Sequence, residues 1–204
     1  MNFALIASTL IIVILIAHNV KRQKKTREKA EAEFWARERM ANSVRRKSLD
    51  GLDYITIPLE SFPTHILREN SAVAECIETL EALTARKIVN LTGYTNTDLK
   101  LEYGAANITA LSEYDQNYTV LVRTLQKWAD TLIDAGYPQE ACVLMEFAVN
   151  TGTDVGHTYY RLAEYYASRG EEDQIRRLKG MAGSLRGSGR DLTLKHLGRE
   201  YPRI

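Results

Sequence analysis

The residues of this 204-residue sequence that could most readily do chemistry are its histidines and cysteines. They are His18, His65, His157, His196, Cys76 and Cys142. No subset of them has the spacing of a zinc site, and the sequence contains no phosphate-binding loop, dinucleotide fingerprint, HExxH helix or GxSxG nucleophile turn. A Ser-His-Asp arrangement can still assemble from residues that are distant in sequence. The pattern nevertheless favours a binding module over an enzyme, and it predicts no catalytic residue, no metal site and no cofactor.

The two cysteines lie far apart in the sequence and form no CxxC motif. Cys76 and Cys142 each stand among apolar residues at helical spacing, a pattern that is typical of small buried side chains. We therefore expect two free, buried thiols, and a single stabilising disulfide is the alternative.

An uncharged and mostly apolar segment occupies residues 1–20. As an α-helix it would be about 30 Å long, which is the thickness of the hydrocarbon core of a membrane. Positive residues follow this segment instead of preceding it, the reverse of a signal peptide. The pattern predicts an uncleaved single-pass transmembrane helix in the cell membrane, with the N-terminus outside and the C-terminal domain cytoplasmic. The basic residues that set this orientation are Lys21, Arg22, Lys24, Lys25 and Arg27.

Charge is distributed unevenly, although the formal net charge is only +1. Residues 21–47 contain eleven Lys or Arg against four Asp or Glu, a local net charge of +7. Residues 48–204 contain sixteen basic and twenty-two acidic residues, a net charge of −6. We interpret 21–47 as a basic helical stalk held at an anionic membrane surface. The acidic remainder argues against nucleic-acid binding, which requires a basic face.

Helix breakers and helical periodicity divide the rest of the chain. Pro58 and Pro63 predict a linker over 48–69, because proline interrupts helices. A helical period begins near residue 70, where Asn70 or Ser71 can cap the first turn. We predict an α-helical domain over 70–187 and a C-terminal tail over 188–204. The expected fold class is therefore mostly α: a transmembrane helix, a charged stalk and a small domain of helical hairpins.

A 34-residue repeat is visible in the second half of the domain. Gly136 and Gly170 are 34 residues apart, and the same shift superimposes Ala129 on Ala163 and Ala148 on Ala182. A period of 34 residues built from two helices is the tetratricopeptide spacing. Small residues at these positions would let helices approach closely, and the glycines would form the turns between them.

The segment from Leu125 to Ala141 resembles the tetratricopeptide family, with Trp128-Ala129 in place of the usual Leu-Gly, followed by Gly136. The next unit matches less well, because Ile175 and Lys179 stand where the family prefers Ala and an aromatic residue. The resemblance covers about residues 122–187. A helical bundle in which the 34-residue coincidence is accidental is the alternative.

The resemblance implies a concave groove lined by the first helix of each unit. Its lining in this chain would be Arg123, Gln126, Asp130, His157, Tyr160 and Glu164. Ordinary exposed residues of a bundle are the competing interpretation. The family's clamp for a peptide C-terminus uses Lys and Asn, whereas Gln126 and Asp130 stand here, so capture of a free carboxylate is not expected. Of the neighbouring tyrosines, Tyr160 is the one we expect to be exposed.

These features together predict a membrane-tethered adaptor whose groove binds a protein or peptide partner. The layout loosely resembles uncharacterised single-pass helical-repeat proteins of Gram-positive bacteria. A self-associating structural or envelope-assembly protein, active as a homo-oligomer, is the main alternative. A mitochondrial import receptor has a similar layout, and an acidic domain would suit a basic presequence, so a presequence-receptor-like component is a more distant alternative.

Overall fold

The computed structural model describes residues 3–187 and 189–203, with side chains described from residue 15 onward. The predicted mostly α-helical class is confirmed, and the described residues contain eight α-helices. These are α1 (Phe3–Ser43), α2 (Ser71–Thr84), α3 (Asn96–Tyr103), α4 (Ile108–Asp134), α5 (Pro138–Asn150), α6 (Gly156–Ser168), α7 (Glu172–Ser184) and α8 (Gly189–Glu200). Among the described residues, β-type pairing is limited to one antiparallel bridge between Tyr54 and Val89, which lie outside the helices.

The first helix corrects the predicted membrane anchor. Helix α1 runs without a break from Phe3 to Ser43, so the predicted anchor and the predicted helical stalk are parts of one helix. No helix in the described part of the chain is long and apolar enough to cross a membrane. The single-pass anchor over 1–20, with its outside N-terminus and cytoplasmic domain, was therefore wrong. The side chains of residues 1–14 lie outside the described set.

The basic residues after this segment are exposed along α1. The exposed side chains are those of Lys21, Arg22, Lys24, Lys25 and Arg27. Lys24 and Glu28 form an ion pair across one helical turn at 3.9 Å, as expected for oppositely charged residues four positions apart. The membrane-surface role predicted for these residues depended on the anchor and loses its basis with it.

Two compact units make up the chain, and the first combines Met1–Lys47 with Asn96–Asn107. In this unit the end of α1 packs on α3. The Glu38 carboxylate accepts hydrogen bonds from Lys100 Nζ at 2.8 Å and from the Thr97 hydroxyl. The bond from Lys100 is the main reason that the pKa of Glu38 is lowered. The C-terminal end of the predicted stalk is therefore part of a packed unit and not a freely solvated helix.

The second unit comprises Ser48–Thr95 and Ile108–Ile204, and it contains the main hydrophobic core. Helix α2 packs on α4, and α4 to α7 form two successive antiparallel hairpins. The segment predicted as a linker contributes Phe62, whose ring lies 5.3 Å from that of Phe147 and 6.1 Å from that of Trp128. The segment predicted as a tail forms α8, which packs on α6 and α7 and buries Leu197.

Candidate functional site

Two glycine turns shape the hairpins that carry the predicted groove. Gly136 and Gly170 have φ angles of +88° and +71°, in the left-handed region where L side chains are strained. The Tyr137 N–H bonds back to the Leu132 carbonyl at 2.8 Å, and the Gly136 N–H bonds to the Ile133 carbonyl at 3.0 Å. The same pair of bonds surrounds Gly170. Each turn is thus a Schellman motif that ends one helix and starts the antiparallel return.

Apart from the two exposed turn glycines, the residues predicted for the repeat are buried between the helices. Trp128, Ala129, Ala141, Ala148, Ala163 and Ala182 are each at most 2% exposed. Helix α8 continues the same spacing, since its buried Thr193 and Leu197 lie 34 residues after Tyr159 and Ala163. Residues that are 34 positions apart in the sequence are therefore buried at corresponding places in successive helices. Membership of the tetratricopeptide family stays a prediction.

Three of the six predicted groove residues meet in one polar network between α4 and α6. Gln126 Nε2 donates to Asp130 Oδ2 at 3.0 Å, and His157 Nε2 lies 3.2 Å from Asp130 Oδ1. The buried Thr158 hydroxyl donates to Gln126 Oε1 at 2.5 Å. Gln126 therefore also holds the two hairpins together, which its predicted role as a free groove residue did not include.

The other three predicted residues have different surroundings. Arg123 and Glu164 are exposed on α4 and α6. Tyr160 is half-buried, and its ring lies against that of His196 on α8, with centroids 3.8 Å apart and planes inclined at 30°. The expectation that Tyr160 would be exposed was wrong, because the chain beyond residue 188 forms a helix that covers it.

Arg161 is the residue of this site that the sequence did not reveal. Its guanidinium lies 3.7 Å from Asp130, 3.9 Å from Asp134 and 3.4 Å from Glu164. The Nε atom is buried and has no hydrogen-bond partner within the described structure, since 3.7 Å is an ion-pair distance but too long for a hydrogen bond. One signal was available: Arg161 is the only Lys or Arg between Lys127 and Arg169, a stretch rich in acidic residues.

A cleft of about 550 Å³ adjoins this network, between the α4–α5 turn and the second half of α6. Ile133, Met145 and Tyr165 supply apolar surface, and Tyr137 stands at the exposed edge. Arg161 and Glu164 line the side of the cleft nearest the network. The volume lies within the range of about 300–1,000 Å³ that is common for ligand-binding clefts.

A second polar cluster holds the walls of the cleft together. The Glu146 carboxylate on α5 accepts hydrogen bonds from the Tyr166 hydroxyl on α6 and from the Arg177 guanidinium on α7. Burial is the main reason that the pKa of Tyr166 is raised, and the bond to Glu146 acts in the same direction. Three successive helices are therefore joined by a charged group, which fixes α5 and α6 relative to each other.

Both cysteines are free thiols, as predicted, and neither belongs to the groove. Cys76 is buried, as expected. The expected burial of Cys142 was wrong, since this residue is half-buried with its sulfur 3.8 Å from the Tyr166 hydroxyl. Burial raises the pKa of each thiol, which disfavours the reactive thiolate. Among the side chains described, those of residues 15–187 and 189–203, there is no group of three or more His, Cys, Asp or Glu placed to hold a metal ion.

No protein-family model, curated protein or solved structure matches the chain.

Proposed function

We propose that this chain is a protein-interaction module that binds a segment of a partner protein along the groove between α4 and α6. The main support is the cleft, which joins an apolar floor to polar side chains from two successive hairpins. Protein-binding sites combine these two features: apolar surface supplies affinity, and a few fixed polar groups orient the bound segment.

The rigidity of the site favours a binding role. The cleft lies between helices that are joined by the Glu146 cluster and by the bond from Thr158 to Gln126. A preformed site loses less conformational entropy when it binds than a mobile one does. Exposed groups such as Tyr137 and Glu164 remain available to a partner.

Site-specific photocrosslinking in living cells tests this function. Tyr137 is replaced by p-benzoylphenylalanine at the cleft edge, and Val143 on α5 is replaced in the same way as a control outside the cleft lining. The two positions are matched in exposure, at 37% and 41%. We expect position 137 to crosslink a distinct protein that position 143 does not reach. Equal crosslinking from both positions would contradict binding in the cleft, and crosslinks to a second copy alone would favour self-association.

A further inference from the structure

An excess of negative charge surrounds the single guanidinium of Arg161. The carboxylates of Asp130, Asp134 and Glu164 all lie within 3.9 Å of it. Three negative charges and one positive charge leave this group with a net charge of −2 when His157 is neutral. One internal cation cannot neutralise three carboxylates, so the group retains attraction for a further positive charge.

Two of these carboxylates are accessible to a partner. The side chains of Asp134 and Glu164 are 78% and 59% exposed, and their distances to Arg161 of 3.9 and 3.4 Å are long for hydrogen-bonded pairs. The other cation at the cleft, Arg169, already pairs with Glu171 at 2.7 Å. A cation from outside would therefore meet two weakly engaged carboxylates without displacing a strong internal pair.

The apolar part of the cleft lies beside this charged group, because Arg161 and Glu164 line the cleft too and Asp134 lies 3.9 Å from Arg161. Ile133 and the buried Met145 line it, and the exposed Tyr137 lines it as well. Apolar surface of this kind rewards the burial of a large side chain such as Leu, Phe or Trp. Charge and apolar surface are thus adjacent, and one short segment could use both.

We infer that the groove selects a basic segment in which a Lys or Arg lies close in sequence to a large apolar residue. The cation is placed between Asp134 and Glu164, and the apolar side chain enters the cleft. In a helical segment the two residues would be three or four positions apart, and in an extended segment two positions apart. An acidic segment is disfavoured, because a carboxylate that approaches Arg161 must also approach the three carboxylates around it. This inference rests on the proposed function and specifies the chemistry of the partner.

The test is selection of random twelve-residue peptides, displayed on phage, on the immobilised full chain. The enriched peptides are synthesised with a fluorophore, and their dissociation constants are measured by anisotropy. We expect enriched sequences to carry Lys or Arg within four residues of Leu, Phe or Trp. The double variant Asp134→Asn/Glu164→Gln should weaken their binding roughly tenfold, because exposed ion pairs each contribute modestly. Binding to the wild-type chain should also weaken as salt is added.

A matched control and a second variant separate the possible failures. Glu78→Gln/Glu81→Gln removes two exposed carboxylates from α2 and should leave binding unchanged. Tyr137→Ala tests the cleft without changing its charge. Enriched peptides without a basic residue that are weakened by Tyr137→Ala would overturn the charge selectivity and leave the proposed function standing. Failure to enrich any peptide, or binding that ignores both the cleft and the carboxylate variants, would overturn both.

Discussion

A matched pair of glycine substitutions tests the hairpin geometry on which the groove depends. Gly170 turns the chain between α6 and α7 with a φ of +71°, whereas Gly180 lies inside α7 with ordinary helical geometry. Nothing lies within 4 Å of a Cβ added at either position. Replacement by alanine therefore introduces no clash at either site, and the two variants differ mainly in backbone conformation.

The expected effects of the two changes on the free energy of unfolding have opposite signs. Both Gly170→Ala and Gly180→Ala reduce the freedom of the unfolded chain, which stabilises by about 0.4–1 kcal/mol. At Gly170 the left-handed conformation costs an alanine about 1–2 kcal/mol, which outweighs that gain. We therefore expect Gly180→Ala to be the more stable variant by roughly 1–2 kcal/mol. For a unit of this size the gap corresponds to roughly 2–8 °C in melting temperature.

Urea unfolding followed by circular dichroism at 222 nm measures this difference, with thermal melts as a second readout. The change Gly136→Ala, at φ +88°, should behave like Gly170→Ala. If Gly170→Ala proved as stable as Gly180→Ala, the left-handed turn between α6 and α7 would be wrong, and the groove built on it would have to be abandoned.

Three further predictions concern hydrogen bonds and burial in the same unit. Gln126→Ala should lower the free energy of unfolding, measured in urea melts, by about 1–3 kcal/mol, because the buried Thr158 hydroxyl loses its acceptor. The double variant Gln126→Ala/Thr158→Val should recover part of that loss, because it also removes the unpaired hydroxyl. No recovery would contradict the hydrogen bond. Asn70→Ala should cost about 1 kcal/mol by the same assay, because the Asn70 side chain caps α2 through the N–H groups of Ala72 and Val73. Burial raises the pKa of Tyr118 to about 12 from an ordinary value near 10. As the pH rises, the unfolded chain therefore loses the phenol proton before the folded chain does. The stabilisation that comes from this pKa difference should be complete below pH 10 and lost between about pH 10 and 12. Urea melts across this range should show a shallower alkaline decline in Tyr118→Phe than in the wild type, and identical slopes would contradict the shift.

The parts of the fold that could be predicted from the sequence are those in which one residue type fixes a local conformation. Gly136 and Gly170 could be assigned to turns because few other residues adopt positive φ. Asn70 was one of two candidate caps, and its side chain makes the capping bonds. The buried alanines were predictable because close helix packing requires small side chains at a regular interval. Each of these inferences needs only neighbouring residues or a fixed period.

The errors have physical reasons as well. The apolar start of α1 was interpreted as a membrane anchor from its hydropathy and length alone. In the structure it is the first part of one helix that continues through the Ala-, Glu- and Arg-rich sequence to Ser43. Helix α8 was missed because its buried side chains, those of Thr193 and Leu197, are too few to produce a clear helical period in the sequence. The contact of Tyr160 with His196 depends on that helix, so it could not be predicted once α8 was taken as a tail.

The groove itself was predicted only in part. The resemblance to the tetratricopeptide family placed Gln126, Asp130 and His157 on the first helices of two successive hairpins, and these residues do meet. Which partner each side chain selects depends on how the two helices cross, and the sequence does not specify that angle. The concentration of three carboxylates around Arg161 depends on this packing of α4 against α6. Glu164 lies one helical turn after Arg161, but Asp130 and Asp134 lie 31 and 27 positions before it.

Methyl NMR of the full chain during titration with an enriched peptide tests binding in the cleft most directly. Ile133 and Met145 lie in the cleft, and Ile77 on α2 lies outside it and serves as the control. We expect the Ile133 δ1 and Met145 ε methyl resonances to shift in a saturable way, with the same dissociation constant as in the anisotropy measurement, while the Ile77 methyl stays in place. Saturable binding with no change at Ile133 and Met145, or with larger shifts at Ile77, would contradict the assignment of partner binding to this groove.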